Sequence, residues 1–160
     1  MAYESDPVAA KLNELFCDRV GFWAFVEFDD LNPAEKALAG VWELVQEVYN
    51  GGFMQLFQNS SGERVHEICD ILRQTGADQA ASILERAIAL AGPNIPWKDL
   101  VGRFEALKRV PEQNKVQLFD LGREFYDQLD DIHRLLWRYL SECRGEIDVA
   151  DDFWTEFKSQ

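Results

Sequence analysis

The one adjacent glycine pair in the chain, Gly51-Gly52, constrains the fold more than any other feature. It lies in Val48-Tyr49-Asn50-Gly51-Gly52-Phe53-Met54-Gln55-Leu56-Phe57-Gln58-Asn59, between two apolar-periodic segments. Asn-Gly-Gly supplies residues that take positive φ at little steric cost. A helix can end there, turn sharply and give way to another. Phe53, Leu56 and Phe57 follow at i, i+3, i+4 spacing, which predicts a further helical turn pressed into the core. Ser60 or Ser61 is then the expected cap of the next helix.

The other Gly and Pro residues also punctuate helix-period segments. Asp6-Pro7 reads as an N-cap followed by Pro at the first helical position, with Val8, Leu12, Leu15 and Phe16 on one face. Asn32-Pro33-Ala34-Glu35 has the form of a capping box. Leu38, Val41, Trp42, Val45 and Val48 then form a stripe up to the glycine pair. Val65, Ile68, Cys69 and Leu72 make the next core face, and Gly76 stands where a C′ glycine belongs. The Ala-rich stretch 77–91 permits close helix approach and is expected to be a central helix.

Trp97, Leu100, Val101, Phe104 and Leu107 are also helically spaced. The segment 116–129 is less regular. Asp130-Asp131 opens a late helix with Ile132, Leu135, Leu136, Tyr139 and Leu140 inward and Arg134, Arg138 and Arg144 outward. Phe22-Trp23-Ala24-Phe25-Val26-Glu27-Phe28 is dense in aromatic and β-branched residues but has no partner strand, so it is expected to be a buried helical or irregular segment. Phe153, Trp154 and Phe157 are expected to dock an acidic tail onto the body. These patterns predict an all-α protein of about seven to nine helices in one domain, residues 1–160.

The chemistry is bounded mainly by charge. Sixteen Lys and Arg against 29 Asp and Glu give a net charge of −13. Such a surface repels nucleic acid and anionic membrane and attracts basic proteins. Residues 1–59 and 146–160 are the most acidic, whereas 97–115 are mildly basic. No apolar run approaches the ~18 residues of a membrane span. The N-terminus has neither a basic n-region nor an apolar h-region, so no secretory signal is read. Cys17, Cys69 and Cys143 are odd in number and scattered, which argues for a reduced, cytoplasmic setting.

No nucleophile elbow, P-loop or dinucleotide fingerprint is present. His66 and Cys69 at i, i+3 supply at most two of the four ligands a structural zinc needs. Neither metal nor cofactor is expected, and no catalytic residue is nominated. Carboxylates at i, i+4 recur instead, with Cβ atoms ~5–6 Å apart. That spacing is of the same order as the ~3.4 Å rise per charge along one DNA strand.

The stretch Trp42-x5-Val48-Tyr49-Asn50-Gly51-Gly52-Phe53-x-Gln55-x-Phe57-x-Asn59-Ser60-Ser61-Gly62 resembles the hallmark of a bacterial DNA-mimic protein family, a domain of unknown function with an Asn-Gly-Gly-Phe-x-Gln-x-Phe motif. The resemblance runs over roughly 33–143. It implies an all-helical fold and an acidic, non-enzymatic protein whose carboxylates occupy a helix-turn-helix regulator in place of its operator. On that reading Asn50, Gly51, Gly52, Phe53, Gln55, Phe57 and Asn59 are structural. The partner-binding carboxylates are Asp29, Asp30, Glu43, Glu47, Asp127, Asp130, Asp131, Asp148, Asp151 and Asp152. The expected partner is a basic DNA-binding protein, a regulator or nucleoid protein, met by a monomer or dimer. The alternatives are an immunity-type inhibitor of a toxin, or a small-ligand or enzymatic site built on the Asn-Gly-Gly corner.

Overall fold

The computed structural model describes residues 6–155. Seven α-helices account for most of them: α1 Pro7–Trp23, α2 Pro33–Gln58, α3 Val65–Gln74, α4 Asp78–Ala91, α5 Leu100–Leu107, α6 Glu112–Tyr126 and α7 Leu129–Glu142. Short 3-10 turns fill the joints, and no strand occurs among the described residues.

Helix α2 is the centre; α1, α3, α5, α6 and α7 all pack on it. Its start is the capping box read from the sequence. Asn32 Oδ1 accepts from the Glu35 amide at 2.9 Å, and Glu35 Oε2 accepts from the Asn32 amide at 3.2 Å. Ala37, Leu38, Ala39, Gly40, Val41, Trp42, Leu44, Val45 and Val48 are all buried, so the helix is apolar almost all round, as a core helix must be. The Ala-rich α4 was expected in this position. It packs between α3 and α6 through Ala80, Ala81 and Ala87, while Ser82, Glu85 and Arg86 face solvent.

Gly52 breaks α2, at φ 74° and ψ −171°. L-residues avoid that region. Phe53, Leu56 and Phe57 then resume helical geometry and are fully buried, with the Phe53 ring edge-on to Phe125 and the Phe57 ring edge-on to Trp97. No neighbouring atom lies within 4 Å of a Cβ built on Gly52. Gly52→Ala therefore strains only the backbone, and it is expected to lower unfolding stability by about 1–3 kcal/mol in urea titrations. An unchanged urea midpoint would show that the corner relaxes without the positive φ.

Neither Ser60 nor Ser61 caps α3. A 3-10 turn, Ser60–Arg64, comes first, and α3 starts at Val65 without a side-chain cap. Gly76, with φ 87°, closes α3 in a Schellman arrangement, the Ala77 amide donating to Leu72 C=O at 2.8 Å and the Gly76 amide to Arg73 C=O at 3.0 Å. The segment 116–129 is a regular helix up to Tyr126, and a break at Asp127-Gln128 separates it from α7.

Two apolar stretches are less buried than their composition suggests. In 22–28 Phe28 is buried and Trp23 half-buried, whereas Phe22, Phe25 and Val26 face solvent. Of the α5 set, Leu107 is buried and Leu100, Val101 and Phe104 are exposed, because this short helix meets the core along one edge.

The terminal segments pack together against α2 and α7. Asp6 Oδ1 accepts from the Val8 amide at 2.9 Å, the predicted cap of α1, and Asp6 Oδ2 lies 3.0 Å from Nδ1 of buried His133. At the other end, Asn32 Nδ2 donates to Glu146 C=O at 2.7 Å, and Glu146 Oε2 accepts from the Ala34 amide at 3.2 Å. Phe153 and Trp154 stack on Trp137, as expected of the tail. Phe157 lies outside the described residues.

Candidate interaction surface

The Asn-Gly-Gly corner is a closed polar network. Glu47 Oε2 accepts from Gln55 Nε2 at 2.8 Å and from Asn59 Nδ2 at 2.7 Å. Glu43 Oε2 accepts from Ser61 Oγ at 3.1 Å and lies 3.9 Å from Arg64. A Cβ on Gly51 would meet Gln55 Oε1 at 2.0 Å, and one on Gly62 would meet the Phe57 carbonyl oxygen at 2.4 Å. The polar groups of the corner are therefore directed at one another, and Phe53 and Phe57 fill its floor. Asn50 is exposed at the break.

Glu43 and Glu47 were nominated as part of a solvent-facing acidic row. The structure turns both toward the corner, half-buried, because Gln55, Asn59 and Ser61 need acceptors there. Burial, the largest influence, holds the Glu43 carboxyl above its ordinary value of 4.5; Ser61 and Arg64 pull it down and Glu47 adds to the rise. An acid raised by folding contributes stability below its unfolded value and loses it as pH rises through the folded one. Glu43→Gln is thus expected to raise the urea midpoint at pH 7, with the gain closing below pH 4.5. A loss at pH 7 would mean that the charge on Arg64 outweighs the cost of burial.

The remaining nominated carboxylates are exposed; Asp29, Asp127, Asp148 and Asp152 line three separate grooves, and Asp30, Asp130, Asp131 and Asp151 lie near them in the chain. The largest, about 630 Å³, runs between α1 and the C-terminal segment; Glu14, Asp18, Asp148 and Asp152 line it, with Asp151 next in the chain. Its two cations are engaged: Lys11 lies 3.2 Å from Glu14 and 4.6 Å from the Phe153 ring centre, and buried Arg19 lies 2.9 Å from Asp18 and stacks on Phe22. The second, about 550 Å³, gathers Asp127 with Asp120 and Glu124 beside Arg123 and Tyr126. Asp130 and Asp131 open α7 just beyond it, Asp131 paired with Arg134. The third, about 270 Å³, holds Asp29 with Glu27, Glu63 and Glu67 against Arg64 and Lys98; Asp30 follows Asp29 in the same 3-10 turn.

Sequence reading had not nominated Glu14, Asp18, Asp120 or Glu124. Both pairs carry the i, i+4 signal that singled out Glu43 and Glu47. The grouping of Glu14 with Asp148 could not be read locally, since the two are joined only by the docking of the tail.

Among the described residues no set of three His, Cys, Asp or Glu is placed to hold a metal ion. His66 is exposed against the Trp97 ring, and burial pushes the Cys69 thiol up to about 12, which keeps it protonated. No helix among the described residues is long and apolar enough to cross a membrane.

Neither a curated relative nor a solved structure matches the chain. The model of the DMP19-like protein family matches residues 29–143, from the turn before α2 to the end of α7, leaving α1 and the C-terminal segment as flanks. The match covers well over half of the sequence, and the chain belongs to the DMP19-like protein family.

Proposed function

We propose that this protein is a DNA mimic: it binds rather than catalyses, and it sequesters a basic DNA-binding protein, a transcriptional regulator or nucleoid protein, by presenting carboxylates where phosphates would sit. Family membership supports the class of function. One observation supports its position on the molecule. Glu14, Asp18, Asp148 and Asp152 line one groove about 630 Å³ in volume; Lys11 pairs with Glu14 and Arg19 with Asp18, which leaves Asp148 and Asp152 without an ion pair among the described residues. The acids stand on elements whose backbones are pinned, α1 by the Asp6 cap and the C-terminal segment by Trp154, Ile147 and the Glu146 bonds. Charges held in place by the fold lose little entropy on binding, which favours affinity. A partner evolved to neutralise a row of phosphates brings Lys and Arg at matching intervals.

The test uses the full chain as bait in a bacterial lysate, with and without excess duplex DNA. The expected capture is a DNA-binding protein that is released by duplex DNA and by rising salt. Capture indifferent to DNA overturns the mimic reading, and capture of a nuclease toxin would turn it into an immunity function.

A further inference from the structure

The structure carries two exposed apolar patches of opposite charge. The first is the tip where α1 ends. Phe25 is 95% exposed, and Val20, Phe22 and Val26 accompany it. The tip has a fixed shape: the Val26 amide donates to Trp23 C=O at 3.0 Å, and the Trp23 ring packs edge-on to Phe16. Glu27, Asp29 and Asp30 follow directly, and none of them forms an ion pair among the described residues. The second patch is the outer face of α5, where Val101 is 72% exposed beside Leu100 and Phe104. Lys98 and Arg109 flank it without ion pairs among the described residues. The acids of this patch are occupied or folded back, since Glu105 pairs with Lys108 at 2.8 Å and Asp99 Oδ2 lies over Gly102.

The residues next to both patches in the chain line one groove, of about 270 Å³. Glu27, Phe28 and Asp29 wall it on the side of the tip, and Lys98, two residues before Leu100, walls it on the side of α5. A two-fold axis through this groove would seat the tip of each copy on the α5 face of the other. That is the self-complementary arrangement an isologous interface requires. Aromatic side chains bury ~150–250 Å² each, so the seven apolar residues of the two patches remove on the order of 600 Å² per copy, close to the lower limit of specific interfaces.

We infer that the protein forms a two-fold homodimer in which Phe22 and Phe25 of each copy dock on Leu100, Val101 and Phe104 of the other, with Glu27 and Asp29 facing Lys98 and Arg109. The occupant is a second copy because the chain itself supplies both the acid-rimmed wedge and the base-rimmed seat. The tip lies outside residues 29–143 and its seat on α5 lies inside them, so the contact joins a flank of this chain to the part shared with its family.

Sedimentation equilibrium on the full chain tests this. An interface of this size is expected to give a dimer with a dissociation constant on the order of micromolar. Phe25→Asp and Val101→Asp are each expected to raise that constant at least ~10-fold, as loss of an interface anchor does. Both positions are exposed, and far-UV circular dichroism should be unchanged. The distinctive result is complementation. Phe25→Asp mixed with Val101→Asp keeps one intact tip-on-α5 contact, and the mixture should dimerise more tightly than either variant alone. A wild-type monomer at roughly a hundred times the expected constant overturns the inference. So does a dimer indifferent to both substitutions, or a mixture that shows no rescue.

Discussion

Arg103→Ala is expected to lower the unfolding free energy by about 3–5 kcal/mol, the range for truncating a large buried side chain and stranding its hydrogen-bond partners. Arg103 is only 1% exposed. Its guanidinium donates Nη1 to Trp97 C=O and Nη2 to Asn59 C=O, the latter at 2.9 Å. One side chain thus joins the end of α2, the loop before α5 and α5 itself. Its Nε faces Gly62, where a Cβ would approach to 3.1 Å. Arg103 has no ion-pair partner among the described residues; burial pushes its pKa down, while Glu63 and Asp99 act on the charge only at longer range. The contribution is therefore the forked bond to two carbonyls rather than a salt bridge.

Two further substitutions separate the parts. Arg103→Met keeps much of the stem volume but removes the donor to the Trp97 carbonyl and leaves the Asn59 carbonyl only the Gly62 amide at 3.0 Å, and is expected to fall between Arg103→Ala and wild type. Arg103→Lys keeps the charge but cannot reproduce the planar fork, so it should also lose stability. Urea titrations followed by circular dichroism and tryptophan fluorescence read all three. A loss below about 1 kcal/mol for Arg103→Ala would show that water reaches the carbonyls and that the clamp is dispensable.

The helices were legible because their signals are local. Asp6-Pro7, Asn32-Pro33-x-Glu35 and Gly76 act within one turn of themselves, and each does in the structure what its chemistry predicts. Gly52 was equally readable, since few residues but glycine adopt its backbone geometry. Burial was less legible wherever an element meets the core along one edge. Phe25 and Val101 sit in windows as apolar as those of α2, and composition alone does not tell which face of a short helix finds a neighbour. Arg103 shows the converse, a charged residue in an apolar-periodic window that is among the most buried side chains of the chain.

The acidic surface was legible as charge but not as arrangement. Glu43 and Glu47 have the same spacing as Glu14 and Asp18, yet the first pair anchors a corner and the second lines a groove. The difference comes from what packs opposite. Gln55, Asn59 and Ser61 return against α2 as donors, whereas α1 faces Asp148 and Asp152, which offer none. Pairings between residues more than a hundred positions apart follow from topology, and no local period encodes them.

Neutralising the groove between α1 and the C-terminal segment is expected to cost most of the proposed partner's affinity. The variant is Glu14→Gln with Asp148→Asn and Asp152→Asn. Asp18 stays, because it holds buried Arg19 at 2.9 Å and its loss would confuse binding with stability. Close charge pairs across an interface contribute roughly 1–2 kcal/mol each where both partners are well placed, so three losses predict a drop on the order of a hundredfold or more in low salt. The remaining binding should also respond less to salt, since fewer screened contacts are left to weaken. Two matched controls locate the face: Asp127→Asn with Asp130→Asn and Asp131→Asn, and Asp29→Asn with Asp30→Asn and Glu67→Gln. A mimic acting through net charge alone would lose similar affinity in all three variants, because each removes three of the same −13. A mimic acting through position loses it in the first variant and keeps it in the controls. Isothermal titration against the captured DNA-binding protein at two salt concentrations reads the difference. Equal losses in all three would assign the binding to diffuse charge and remove the groove from the mechanism.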